Sequence, residues 1–196
     1  MDPVVNRGTG AGGANTNVSG NSFEDKTSNE LRLLADGYTK KLIPGKEKTK
    51  YGYYLEKVDG DKTTQFVTQN GLKCYMDHFH KKEICREVDE AYIITTTGST
   101  NSVVKILEKK NQNSGGSVED KLMLGHHFKF VEYPGCLGDG FTIDYAFCLA
   151  PFLKSLYNSD MLKWKIIRKD NEKNAIPVFF GDDPDYFSKL DQWINS

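Results

Sequence analysis

Residues 87–112 read EVDEAYIITTTGSTNSVVKILEKKNQ. Two runs rich in β-branched and aromatic residues flank a loop of Thr, Gly, Ser and Asn, a pattern that predicts two strands, Glu83 to Ile94 and Val103 to Glu108, joined by Thr95–Ser102. Acids stand at the start of the first strand (Asp89, Glu90) and at the finish of the second (Glu108), 19 positions on. Antiparallel pairing across the loop brings those ends together. The period of two then puts Glu108 and Lys110 on one face, with Gln112 next along it, and turns Lys109 to the other.

Outward from this pair, strand and helix patterns interleave. Tyr51 to Val58 and Thr63 to Thr68 form a hairpin about Asp59-Gly60-Asp61. Ser117 to Val131 is helical, opened by Ser117 with Asp120 three residues on. Phe141 to Leu149 is β-rich, Pro151 to Trp164 helical, Ile176 to Phe180 a short strand and Pro184 to Ile194 a closing amphipathic helix. The fold class expected is α/β, a mixed β-sheet flanked by helices. Residues 1–21 are dominated by Gly, Asn, Thr and Ser and form an arm; residues 22–196 form one domain.

Composition narrows the function. In 196 residues, 26 basic side chains face 27 acidic ones, so the net charge of -1 excludes a wholly cationic nucleic-acid trap and leaves room for local basic strips. Such a strip is Lys40, Lys41, Lys46, Lys48 and Lys50 against Glu47 alone, a local charge of +4. No apolar run approaches the roughly 18 residues of a membrane span, and no signal peptide opens the chain. The expectation is a cytoplasmic, intracellular protein, compatible with a bacterial or viral origin, and no membrane partner. Four scattered cysteines fit reduced thiols.

Two carboxylates and a lysine at adjoining strand ends suit phosphodiester hydrolysis. Hard divalent cations take oxygen ligands, and an ammonium beside them orients water and offsets charge developing at phosphorus. Asp89 followed by Glu108-Lys109-Lys110 resembles the PD-(D/E)XK nuclease superfamily, with Val88 where the motif usually has Pro. The likeness extends to small type II restriction endonucleases through the Gly-rich Arg7 to Asn17, a following Phe-Glu, Asp89-Glu90-Ala91, Glu108 to Gln112, and Gly116-Ser117-Val118.

The resemblance implies a restriction-endonuclease-like core and a Mg²⁺-dependent endonuclease, with Mn²⁺ as substitute. Cutting would occur at a short site in double-stranded DNA, by a homodimer, leaving 5′-phosphate and 3′-hydroxyl ends. Asp89 and Glu108 would bind metal, Lys110 position the water, and Gln112 order Lys110 or the phosphate. Glu24 is the candidate for a further metal ligand. On a helix through residues 22–38, it falls about 20° from Leu31, inside an apolar stripe where a carboxylate needs compensation. A first-turn acid favoured by the helix dipole is the plainer alternative. A structure-selective repair or junction nuclease and a non-catalytic DNA-binding protein are the competing functions.

Arg7, Asn15 and Asn17 of the arm and Lys46 and Lys48 of the strip are the candidate DNA contacts. Flexible arm and solvated loop are their bland counterparts. Cys74, His78, His80 and Cys85 hold enough ligands for Zn²⁺ but miss the common spacings, and core thiols are the simpler reading. His126-His127 read as polar helix positions.

Overall fold

A computed structural model describes residues 23–112 and 116–196. Among the described residues, seven strands form one mixed sheet in sequence order: β1 (Thr39–Leu42), β2 (Tyr53–Asp59), β3 (Lys62–Gln69), β4 (Val88–Thr96), β5 (Ser102–Lys110), β6 (Phe141–Leu149) and β7 (Val178–Phe180). The first five run antiparallel as a meander; β6 is parallel to β5, and β7 to β6. Parallel neighbours need long crossovers, and these supply helices. Between β5 and β6 lie α4 (Gly116–Met123), α5 (Gly125–His127), a π-helical stretch (Phe128–Glu132) and α6 (Tyr133–Leu137). Between β6 and β7 lie α7 (Pro151–Tyr157) and α8 (Leu162–Lys173).

The expected α/β class, a mixed sheet with flanking helices, is the class observed. Alternation sends Ile93, Val104, Ile106, Tyr145 and Phe147 into a core shared with α3 (Gly71–His80), α4, α6 and α8. Tyr92, Ile94, Leu107, Ala146 and Cys148 enter a second core. Phe23 of the helical residues 23–27 (α1), Leu33 of α2 (Glu30–Ala35) and Leu190 of α9 (Tyr186–Asn195) complete it. Each fully buried Leu, Ile or Phe contributes about 1.5–3 kcal/mol, so both faces of the sheet are well covered.

Several expected boundaries change. The first helix is broken at Ser28-Asn29 into α1 and α2, so no single helical wheel applies; Leu31, its reference position, is 80% exposed. The lysine-rich connection begins inside β1, an edge strand whose four residues are all exposed and which therefore lacks any burial alternation. The first strand of residues 87–112 starts at Val88 rather than Glu83. Helix α3 occupies a segment left without an element in the sequence reading, and Pro151 to Trp164 divides into α7 and the start of α8.

The β4–β5 pair is the one anticipated, with Glu90 opposite Leu107 and Thr95 opposite Ser102. On its other side β4 carries a bulge: Thr68 pairs with Glu90 but Gln69 with Val88, so Asp89 has no partner in β3. Gln69 adopts φ 51° there. Val88 and Glu90, two apart, consequently face opposite layers: Val88 joins the first core, and Glu90 bonds Asn29 between α1 and α2. In an unbroken strand they would share a face.

Candidate functional site

Continuing the β4–β5 register beyond Glu90 and Leu107 sets Asp89 across from Glu108. Asp89 Oδ2 accepts the backbone N–H of Lys109 at 2.6 Å, which fixes its carboxylate against the end of β5. The Lys110 ammonium donates to Glu108 Oε1 in a close ion pair. Lys110 is buried, while 23% of the Glu108 side chain reaches solvent. Burial lifts the Glu108 carboxyl above its ordinary range; Lys110 pulls it back, and Asp89 pushes it up again. A carboxyl held above its ordinary range by burial and by a neighbouring acid is the arrangement a cation relieves.

Lys109 alternates to the opposite side, as the period of two requires. Its ammonium donates to Glu90 Oε1 at 2.7 Å and to the Thr27 carbonyl at 2.9 Å. The Asn29 side-chain amide donates to Glu90 Oε2 at 2.6 Å, and its backbone N–H to Oε1 at 3.2 Å. Adjacent lysines therefore do different work. Lys109 and Glu90 lock the α1–α2 elbow onto the sheet, and Lys110 pairs with the half-buried Glu108.

Glu24 is exposed on α1, which overturns its expected place inside an apolar stripe. The break after α1 explains the error, since residues 31–38 do not continue its wheel. Glu24 does line a hollow of about 180 Å³ with Asp89, Ser28, Tyr51 and Gln69. It does not join Asp89 and Glu108 as a ligand set: among the described residues no three His, Cys, Asp or Glu side chains are grouped to hold a metal. Gln112 lies half-buried two residues past β5.

The paired carboxylates fit Mg²⁺ as a donor set. Both are hard oxygen ligands, and Mg²⁺ is commonly held by one or two carboxylates while keeping several waters. Tyr133 of α6 and Tyr145 of β6 are buried nearby, and their hydroxyls are held well above the usual range by burial first and by the Glu108 charge next. Lys121 of α4 acts favourably on ionised Glu108. These neighbours come from the β5–β6 crossover and from β6, and no spacing in the sequence links them to Asp89.

Arg7, Asn15 and Asn17 lie outside the described residues. Lys46 pairs with Asp77 at 2.9 Å, and Lys48 is exposed on the loop after β1. Lys40 and Lys41 pair with Glu30 and Glu56, so the strip is largely neutralised by neighbours distant in sequence. Of the cysteine and histidine cluster, Cys74 is buried in the core as expected; Cys85 is exposed, contrary to the core-thiol reading, because it sits in the lead-in to β4. His126 faces Asp170 at 3.2 Å.

No protein-family model, curated protein sequence or solved structure matches this chain. No helix among the described residues is long and apolar enough to cross a membrane.

Proposed function

We propose that this chain is a Mg²⁺-dependent endonuclease that hydrolyses phosphodiester bonds of double-stranded DNA at a short specific sequence. The observation that carries the reading is the placement of Asp89, Glu108 and Lys110 at the adjoining ends of β4 and β5, where Glu108 feels the Asp89 charge and is ion-paired to Lys110. The burial of both lysines distinguishes this arrangement from a charged strand edge, where they would face solvent. The PD-(D/E)XK resemblance of Asp89 and Glu108-Lys109-Lys110 supports the same reading.

Asp89 and Glu108 would hold Mg²⁺, which would supply Lewis-acid polarisation of a phosphate oxygen and acidify a water. Lys110 holds its ammonium at Glu108 and orients the attacking water by donating to it. The attacking water gives up its proton to solvent, because Glu108 is engaged by the Lys110 ammonium. The P–O3′ bond breaks as the new P–O bond forms, leaving 5′-phosphate and 3′-hydroxyl ends. The protein acts as a cytoplasmic homodimer, because two identical sites on a twofold axis cut antiparallel strands symmetrically.

Incubation of the purified protein with long duplex DNA and Mg²⁺ tests the proposal. Discrete fragments are expected, absent with EDTA and with Lys110→Ala. Cutting confined to branched DNA would favour a junction or repair nuclease, and intact DNA across substrates and metals would refute nuclease chemistry.

A further inference from the structure

The thiols of Cys85 and Cys136 lie 2.9 Å apart, though 51 residues separate them in sequence. A disulfide is about 2.05 Å long, so less than an ångström of approach would join them. Cys85 stands in the exposed lead-in to β4, four residues before Asp89; Cys136 lies on α6, three residues after Tyr133. Cys85 also lines a hollow of about 520 Å³ whose walls carry Lys46, Lys73, Lys81 and Lys82 against Asp77 and Glu83, an excess of two positive charges. The excess of positive charge attracts an anionic reagent. Of the other cysteines, Cys148 is buried, and its thiol is pushed up to about 12, chiefly by burial. Cys74 borders the same hollow as Cys85 but is buried in α3, and burial raises its thiol.

We infer that Cys85 and Cys136 are a reversible dithiol–disulfide pair, oxidised by an anionic low-molecular-weight disulfide of the glutathione class that enters through the lysine-lined hollow. The Cys85 thiolate attacks one sulfur of the reagent, forms a mixed disulfide and expels one thiolate. Cys136, deprotonated, attacks the Cys85 sulfur, closes the protein disulfide and expels the second. Two electrons pass from the protein thiols to the reagent, and their two protons go to the two leaving thiolates. Burial and the Cys85 contact hold the Cys136 thiol above its ordinary range, consistent with Cys85 attacking first. The bond fastens the lead-in of β4 to α6, and thus the backbone before Asp89 to the helix that carries Tyr133. This inference stands whether or not the chain is a nuclease.

The test treats the full chain with oxidised glutathione, quenches in acid, denatures and counts thiols, with peptide mapping by mass spectrometry. The count should fall from four to two, with loss of two hydrogens, a Cys85–Cys136 linked peptide and full reversal by dithiothreitol. Cys136→Ser should stop at a glutathione adduct on Cys85, and Cys85→Ser should keep three thiols. Rates with cationic cystamine, each normalised to an unstructured cysteine peptide, should be about 10-fold slower. Four remaining thiols, a lasting mixed disulfide in the unsubstituted chain, or a bond that includes Cys74 or Cys148 would overturn the pairing. Equal normalised rates would overturn the role of the hollow.

Discussion

Replacing Lys109 by Met tests whether the two adjacent lysines divide structural from chemical work. The Lys109 and Glu90 side chains are 6% and 3% exposed, and the ammonium is shared between Glu90 Oε1 and the Thr27 carbonyl. Methionine fills similar space but leaves the Glu90 carboxylate with only the Asn29 donors. Breaking a buried pair by removing one partner costs about 3–5 kcal/mol. With a urea slope of about 2 kcal/mol/M for a domain of this size, the midpoint should fall by about 1.5–2.5 M. The double variant Glu90→Gln with Lys109→Met, which keeps an acceptor for Asn29 and removes the unpaired charge, should recover most of the loss. Lys110→Met should lose less, since about a quarter of the Glu108 side chain is open to water, yet abolish cleavage. Equilibrium urea unfolding followed by tryptophan fluorescence reads all three. A Lys109→Met midpoint within about 0.5 M of the parent, a difference of about 1 kcal/mol, would refute the buried-pair reasoning.

Asp89→Asn should abolish Mg²⁺-dependent cleavage on a gel, while Glu24→Gln, outside the carboxylate pair, should keep it within an order of magnitude. Gly181→Ala sets a methyl 2.5 Å from Thr27 Cγ2 and 2.7 Å from the Phe23 ring, and should cost about 1–3 kcal/mol in thermal or urea unfolding as α1 is pushed from the sheet. His80 has its pKa lowered by burial first and by Lys82 next, so folding favours its neutral form. Its contribution is intact above the ordinary value of 6.5 and is lost as pH falls through that value toward the lowered one. His80→Gln should therefore lose less stability than the parent between pH 7.5 and 5 in paired urea titrations, and an equal or larger loss would contradict the shift.

The β4–β5 unit was legible because both strands are buried through their middles, and their runs of β-branched and aromatic residues stand out on either side of a polar loop. Strand β1 was not, because its four side chains are exposed and carry no pattern. The place of Glu24 failed for a different reason. Periodicity measures phase only along an unbroken helix, and the break at Ser28-Asn29 resets it. Nor does local sequence distinguish Asp89 from Glu90 as neighbouring acids; their roles diverge at the bulge and at the α1–α2 elbow, which are tertiary. The same applies to the lysine strip, whose charges are met by Glu30, Glu56 and Asp77 from other elements.

The bulge at Asp89 has a consequence for comparing this chain with others. Polarity patterns along β4 change phase at that residue: Val88 points to one layer, and Glu90, two positions on, to the other. An alignment that matches apolar with apolar across this strand will slip by one residue on one side of Asp89. Relatives are better matched there by the strand's backbone partners, Gln69 for Val88 and Thr68 for Glu90, than by hydrophobicity.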